Sequence, residues 1–199
     1  ADLPGQPAAP PPDTWPPDTR LSYRVGGMFR SGQLYGDARV AWQREGTRYQ
    51  VQVDIDITLW ARLIITSQGE VTPEGLQPYA YEEVRPGRKR RAASFGADTV
   101  ALDNGGTAPR PAGLQDTASQ FVDLAHRFAT GRERLEVGRS VSFWLGRPGG
   151  VDLWTYDIVA KEVVQTPGLG PVEAWRLKPR PITKPRGKVS AEMWFAPSL

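Results

Sequence analysis

Between Thr47 and Thr58 the chain alternates without error: Tyr49, Val51, Val53, Ile55 and Ile57 are apolar, and Arg48, Gln50, Gln52, Asp54 and Asp56 between them are polar. A period of two puts one set on each face of an extended strand, so the segment predicts a strand with one dry and one wet face, usually antiparallel. The alternation returns as Ala38, Val40 and Trp42; as Val141, Phe143 and Leu145; as Trp154, Tyr156 and Ile158; and as Val189, Ala191, Met193 and Phe195. Turn signals separate these runs at Gly26-Gly27, Pro73 to Gly75, Pro86-Gly87, Asn104 to Gly106, Gly149-Gly150 and Pro167 to Pro171. Together they predict about ten or eleven strands.

One segment, Gln115 to Thr130, follows the other period. At about 100° per residue, Ala118, Phe121, Val122, Leu124, Ala125, Phe128 and Ala129 share an arc, and Ser119, Gln120, Asp123, His126, Arg127 and Thr130 share the opposite one. An amphipathic helix over about 116–130 is expected, with Asp116 accepting from first-turn amides and Gly131 stopping it. Ser119, Asp123 and His126, the only histidine, lie in line on the polar arc. They do not form an assembled hydrolase triad, because seven residues of helical rise separate Ser119 from His126 by roughly 10 Å. The polar arc is expected to be a solvated face with Asp123 and Arg127 paired at i,i+4. A single helix cannot cover so many half-wet strands, so the sheet must curl on itself. The expected class is mainly β: a highly curved antiparallel sheet, as a barrel, half-barrel or β-spiral, with this helix packed on its open or concave side.

Composition sets the limits. Residues 1–19 hold seven prolines, three aspartates and no Lys or Arg, the makings of a disordered, extended linker. Residues 20–199 are expected to form a single β domain, a length one such domain can span. With the three leader aspartates set aside, the chain's formal +3 becomes +6 for that domain. No stretch approaches the roughly 18 uncharged apolar residues of a membrane-spanning helix, and the leader is compatible with an upstream anchor. The chain has no cysteine, which removes disulfides and thiolate metal sites.

Five short motifs occur in order: LxY at Leu21 to Tyr23, GLxP at Gly75 to Pro78, QDxxS at Gln115 to Ser119, a late TPxG at Thr166 to Gly170 with one extra residue, and WxAP at Trp194 to Pro197. In this the chain resembles the uncharacterised proteobacterial domain-of-unknown-function family numbered 3108 across nearly all of residues 20–199. The resemblance implies export to the periplasm and a curved antiparallel sheet similar to lipoprotein-carrier and envelope-integrity β-spirals. It brings no established activity. It also implies a further strand after WxAP, whereas this sequence ends at Leu199; an open edge beside the strand ending at Phe195 is the expectation.

Candidate chemistry is sparse. Asp54 and Asp56 share a strand face about 7 Å apart, within the range of a glycosidase pair, yet any polar strand face supplies that spacing. One histidine without cysteine or a carboxylate cluster predicts no metal. No glycine-rich strand-to-helix loop marks a nucleotide or other cofactor site. Two groups remain as binding candidates. The basic run Arg85, Arg88, Lys89, Arg90 and Arg91, echoed by Lys178, Arg180, Lys184, Arg186 and Lys188, would form an anionic-ligand patch if the two meet in space, or else keeps hairpin edges apart. Neither run carries stacking aromatics, so nucleic acid is not expected. The second group is aromatic: Trp42, Trp60, Trp144, Trp154 and Trp175 either fill the core or line an apolar cavity. The expected protein is a non-catalytic periplasmic module holding a lipid or other hydrophobic or extended envelope ligand. Its alternatives are an interaction protein docking an envelope partner through a sheet edge or the basic patch, and, more remotely, a hydrolase.

Overall fold

The computed structural model describes residues 15, 19–29, 32–57, 61–166, 168–182 and 192–197. Eight strands follow one another as a meander in the first sheet: β1 (Thr19–Phe29), β2 (Gly32–Glu45), β3 (Arg48–Ile57), β4 (Ala61–Thr72), β5 (Gly75–Val84), β6 (Arg91–Phe95), β7 (Thr99–Ala101) and β8 (Thr107–Pro109). This sheet curls into a half-barrel. After β9 (Gln115–Asp116) and the helix α1 (Ser119–Ala129), a second sheet forms from β10 (Ser140–Arg147), β11 (Gly150–Thr166), β12 (Gly170–Pro179) and β13 (Met193–Phe195), in the order β13-β12-β11-β10-β9. All neighbours are antiparallel except β9, which runs parallel to β10. The mainly β, strongly curved antiparallel class and its one helix are as the alternation predicts. The strands beyond ten or eleven are pieces of two or three residues, too short to show a period.

The alternation also assigns the faces. Ala38, Val40 and Trp42 on β2 point inward with Tyr49, Val51 and Val53 on β3, as do Val141, Phe143 and Leu145 on β10 and Trp154, Tyr156 and Ile158 on β11. Gly46 makes the β2–β3 hairpin possible: the loop has two residues, Gly46 and Thr47, and Gly46 sits at φ 61, the conformation a tight hairpin needs at its first central residue.

Two clusters make up the core. One lies on the inner face of the first sheet and includes Trp42, Tyr49, Val51, Val53, Ile65, Tyr81 and Phe95, with Ala118 just before α1 and Val122 of α1. The other lies on the second sheet and includes Val141, Phe143, Trp154, Tyr156, Ile158 and Leu177, with Leu124 of α1. The helix therefore contributes side chains to both. This corrects the expected solvated stripe: Ser119, Gln120, Asp123 and His126 are buried, while Ala129 on the apolar arc is exposed. A helix lying between two sheets has little wet face to give. The Asp123–Arg127 pair does form, at 2.8 Å.

The open edge expected at Phe195 corresponds to β13, an edge strand of the second sheet. It comes within 8 Å, Cα to Cα, of β1, the outer strand of the first. Trp60, Lys184, Arg186, Lys188, Val189 and Ala191 lie outside the described residues, as does all of the leader before Thr19 except Trp15. No described helix is long and apolar enough to cross a membrane.

Candidate functional site

Two of the motifs meet where α1 enters between the sheets. In QDxxS, Asp116 Oδ1 accepts the backbone N–H groups of Ala118 (2.9 Å) and Ser119 (2.8 Å), while Ser119 Oγ accepts the N–H of Asp116 (2.9 Å). This is a reciprocal helix cap placed one turn before the first regular helical residue. Gln115 and Asp116 themselves pair with Leu145 and Gly146 of β10, so the helix begins at Ser119 and not at 116. At the other end Gly131 turns out at φ 71.

The GLxP segment receives the helix. Strand β6 pairs with β5 only from Ala80 onward, so the first half of β5 has its outer edge free for other partners. Leu76 donates its N–H to Asp123 Oδ1 (3.1 Å), and its carbonyl accepts from Gln115 Nε2 (2.8 Å). Gly75 makes this possible. Its φ is 132, and a Cβ there would lie 2.7 Å from Asp123 Oδ1. Across from Pro78, Gly69 has no room for a side chain either, since a Cβ would fall 2.1 Å from the Gln77 carbonyl oxygen. There the register slips by one residue and β5 bulges. Two of the five ordered motifs, GLxP and QDxxS, thus meet in a docking joint.

A buried polar chain runs from this joint into the first sheet. Ser67 Oγ donates to Asp116 Oδ2 (2.5 Å) and lies 3.0 Å from the Tyr49 hydroxyl. Ser67 has one hydroxyl hydrogen, so Tyr49 is the donor to it. Burial pushes the Asp116 carboxyl up to about 6, against the hydrogen bonds that favour its charged form. Burial also raises the Tyr49 phenol well above its ordinary value, with Asp116 adding to the effect, so Tyr49 keeps its proton.

Tyr49 is also one end of an aromatic stack. Its ring lies 5.6 Å from that of Trp42, and Trp42 lies 5.9 Å from Trp15. Trp15 in turn lies 3.7 Å from the His126 imidazole, with the ring planes 3° apart. Helix, leader and sheet thus each supply rings to one run. Trp15 is the residue that sequence reasoning missed. Its surroundings of proline and aspartate signal linker, and only its being the one aromatic residue before Thr19 could have singled it out.

The other candidates are dispersed. Trp42 belongs to the first-sheet cluster and Trp154 to the second, with Trp175 packed beside the latter. Trp144 points outward from β10 and is 40% exposed. Arg85, Arg88, Lys89 and Arg90 are exposed on the β5–β6 turn, and Arg91 opens β6. Arg90 pairs with Glu82, and Arg91 with Glu83 and Asp103. Arg85, Arg88 and Lys89 have no ion pair among the described residues. Of the second basic group, Arg180 is bound to Asp157. Asp54 pairs with Arg62, which holds its carboxyl below the usual carboxylate range, and Asp56 pairs with Arg39 at 3.0 Å. Each aspartate has its own guanidinium partner. Among the described residues no three His, Asp or Glu side chains come together as a metal site would require.

Fold and joint together define a two-sheet β protein clamped by one capped, buried helix. The model of the family described as Protein of unknown function (DUF3108) matches residues 20–199, and the chain belongs to that family. No curated protein and no solved structure matches it.

Proposed function

We propose that this chain is a non-catalytic periplasmic envelope protein that holds a hydrophobic or extended ligand on the inner face of its curved sheet. The observation that carries the reading is the aromatic stack, in which an indole from before the first strand rests against Trp42 and His126. An apolar group that is part of neither sheet nor helix thus finds a partly buried seat on the first-sheet cluster. Three of the polar groups that could suggest catalysis are otherwise engaged. Ser119 Oγ serves the helix cap, Asp123 holds Leu76 and Arg127, and Asp54 is held in its charged form by Arg62, which makes it a poor general acid. The periplasmic placement rests on family membership, since members are expected to be exported.

Native mass spectrometry with lipid extraction, on protein purified from its source, tests the binding. A reproducible non-protein species at fixed stoichiometry is expected. Recovery of the bare polypeptide in repeated preparations would overturn the reading and favour an interaction protein that docks an envelope partner.

A further inference from the structure

The seat and its occupant belong to different parts of the chain. Trp42, Tyr49 and His126 all lie within residues 20–199, the segment that defines the family, whereas Trp15 lies before it. Trp15 is partly buried against the first-sheet cluster, with the planes of His126 and Trp42 tilted only 3° and 23° from its own. Near-parallel rings leave a flat space that suits a planar group and disfavours a branched aliphatic one. The residues around Trp15 in the leader are prolines, aspartates and threonines, so the indole is the one large apolar side chain in that stretch.

We infer that the face formed by Trp42 and His126 is a binding site for a neutral planar aromatic group, and that Trp15 is the occupant the chain itself supplies, which an external ligand must displace. The inference rests on the binding reading above and adds to it the ligand's chemistry and a built-in competitor. A site that is open only part of the time binds more weakly in proportion to the open fraction. Removing the competitor therefore raises affinity, whereas removing a purely structural side chain does not.

The test is a fluorescence titration of the full chain with N-phenyl-1-naphthylamine, a neutral fused-ring probe. Trp15→Ala is expected to bind about tenfold more tightly than the unaltered chain, with Trp15→Phe between them. Adding His126→Ala to Trp15→Ala should abolish the gain. Far-UV circular dichroism and a cooperative melt establish that each variant is folded. If Trp15→Ala does not fold, the comparison of Trp15→Phe with the unaltered chain decides. Equal affinities overturn the inference, and so does a gain that survives the loss of His126. Failure of the broader reading shows in a different measurement, as a bare polypeptide by native mass spectrometry. A co-purified species together with equal probe affinities therefore sinks only the role given to Trp15.

Discussion

Asp116 is fully buried and accepts three hydrogen bonds, from Ser67 Oγ and from the amides of Ala118 and Ser119. Each favours the carboxylate, but loss of water outweighs them and the carboxyl moves from 3.8 to about 6. The folded value stands above the unfolded one, so the stability this group contributes is complete below about pH 3.8 and is lost as pH rises through about 6. Asp116→Asn keeps an acceptor for the two amides and removes the titration. The stability advantage of the unaltered chain over Asp116→Asn, from urea melts, should shrink by about 2–3 kcal/mol between pH 4 and pH 7.5. A difference that stays constant across that range would show that Asp116 does not ionise as its surroundings dictate.

At the scale of elements, α1 and β5 are made for each other. The helix presents Asp123 and Gln115 lies just before it, and Leu76 of β5 offers the N–H and the carbonyl they bind. Only glycine at 75 lets the Asp123 carboxylate come so close, and at φ 132 any other residue is strained as well. Gly75→Ala should lower stability by about 2–4 kcal/mol. In a double-mutant cycle with Asp123→Ala the combined loss should be smaller than the sum, because both changes disturb the same contact. Strict additivity would mean the two residues do not meet. The periodicity of α1 showed which residues share a side and where the helix stops. It did not show that the polar side would be covered, since that depends on β5 and β11 lying against it.

At the scale of the molecule, the two sheets share the helix. Asp123 and Gln115 bind it to β5, and the Tyr156 hydroxyl of β11 donates to Gln120 Oε1 at 3.0 Å. The sheets also touch directly. The Asp103 amide donates to the Pro148 carbonyl at 3.0 Å, and Gly146 of β10 leaves room for Phe95 of β6, whose ring would lie 2.6 Å from a Cβ there. With cores joined in this way, neither sheet should melt alone. Tyr156→Phe is expected to cost about 1–2 kcal/mol by leaving a buried acceptor without its donor. The urea midpoints from tryptophan fluorescence and far-UV circular dichroism should move together by the same amount. Separate midpoints for the two probes would show that the sheets unfold independently.

By itself the sequence determined what depends on neighbours along the chain: the inward faces of β2, β3, β10 and β11, the turns between strands other than the one expected at Gly26-Gly27, which instead lies inside β1 opposite Tyr35 and Leu34, one helix with its stop at Gly131, and the pairing of Asp123 with Arg127. These follow from backbone period and local hydrogen bonding, which a short window contains. Tertiary structure alone decided the division into two sheets, the burial of Ser119, Asp123 and His126, and the place of Trp15. Those depend on partners far away in sequence, such as Ser67 for Asp116 and Leu76 for Asp123. A polar side chain reads as wet when only its neighbours are known, because water is its default partner. It can be buried once a distant strand supplies the hydrogen bond instead.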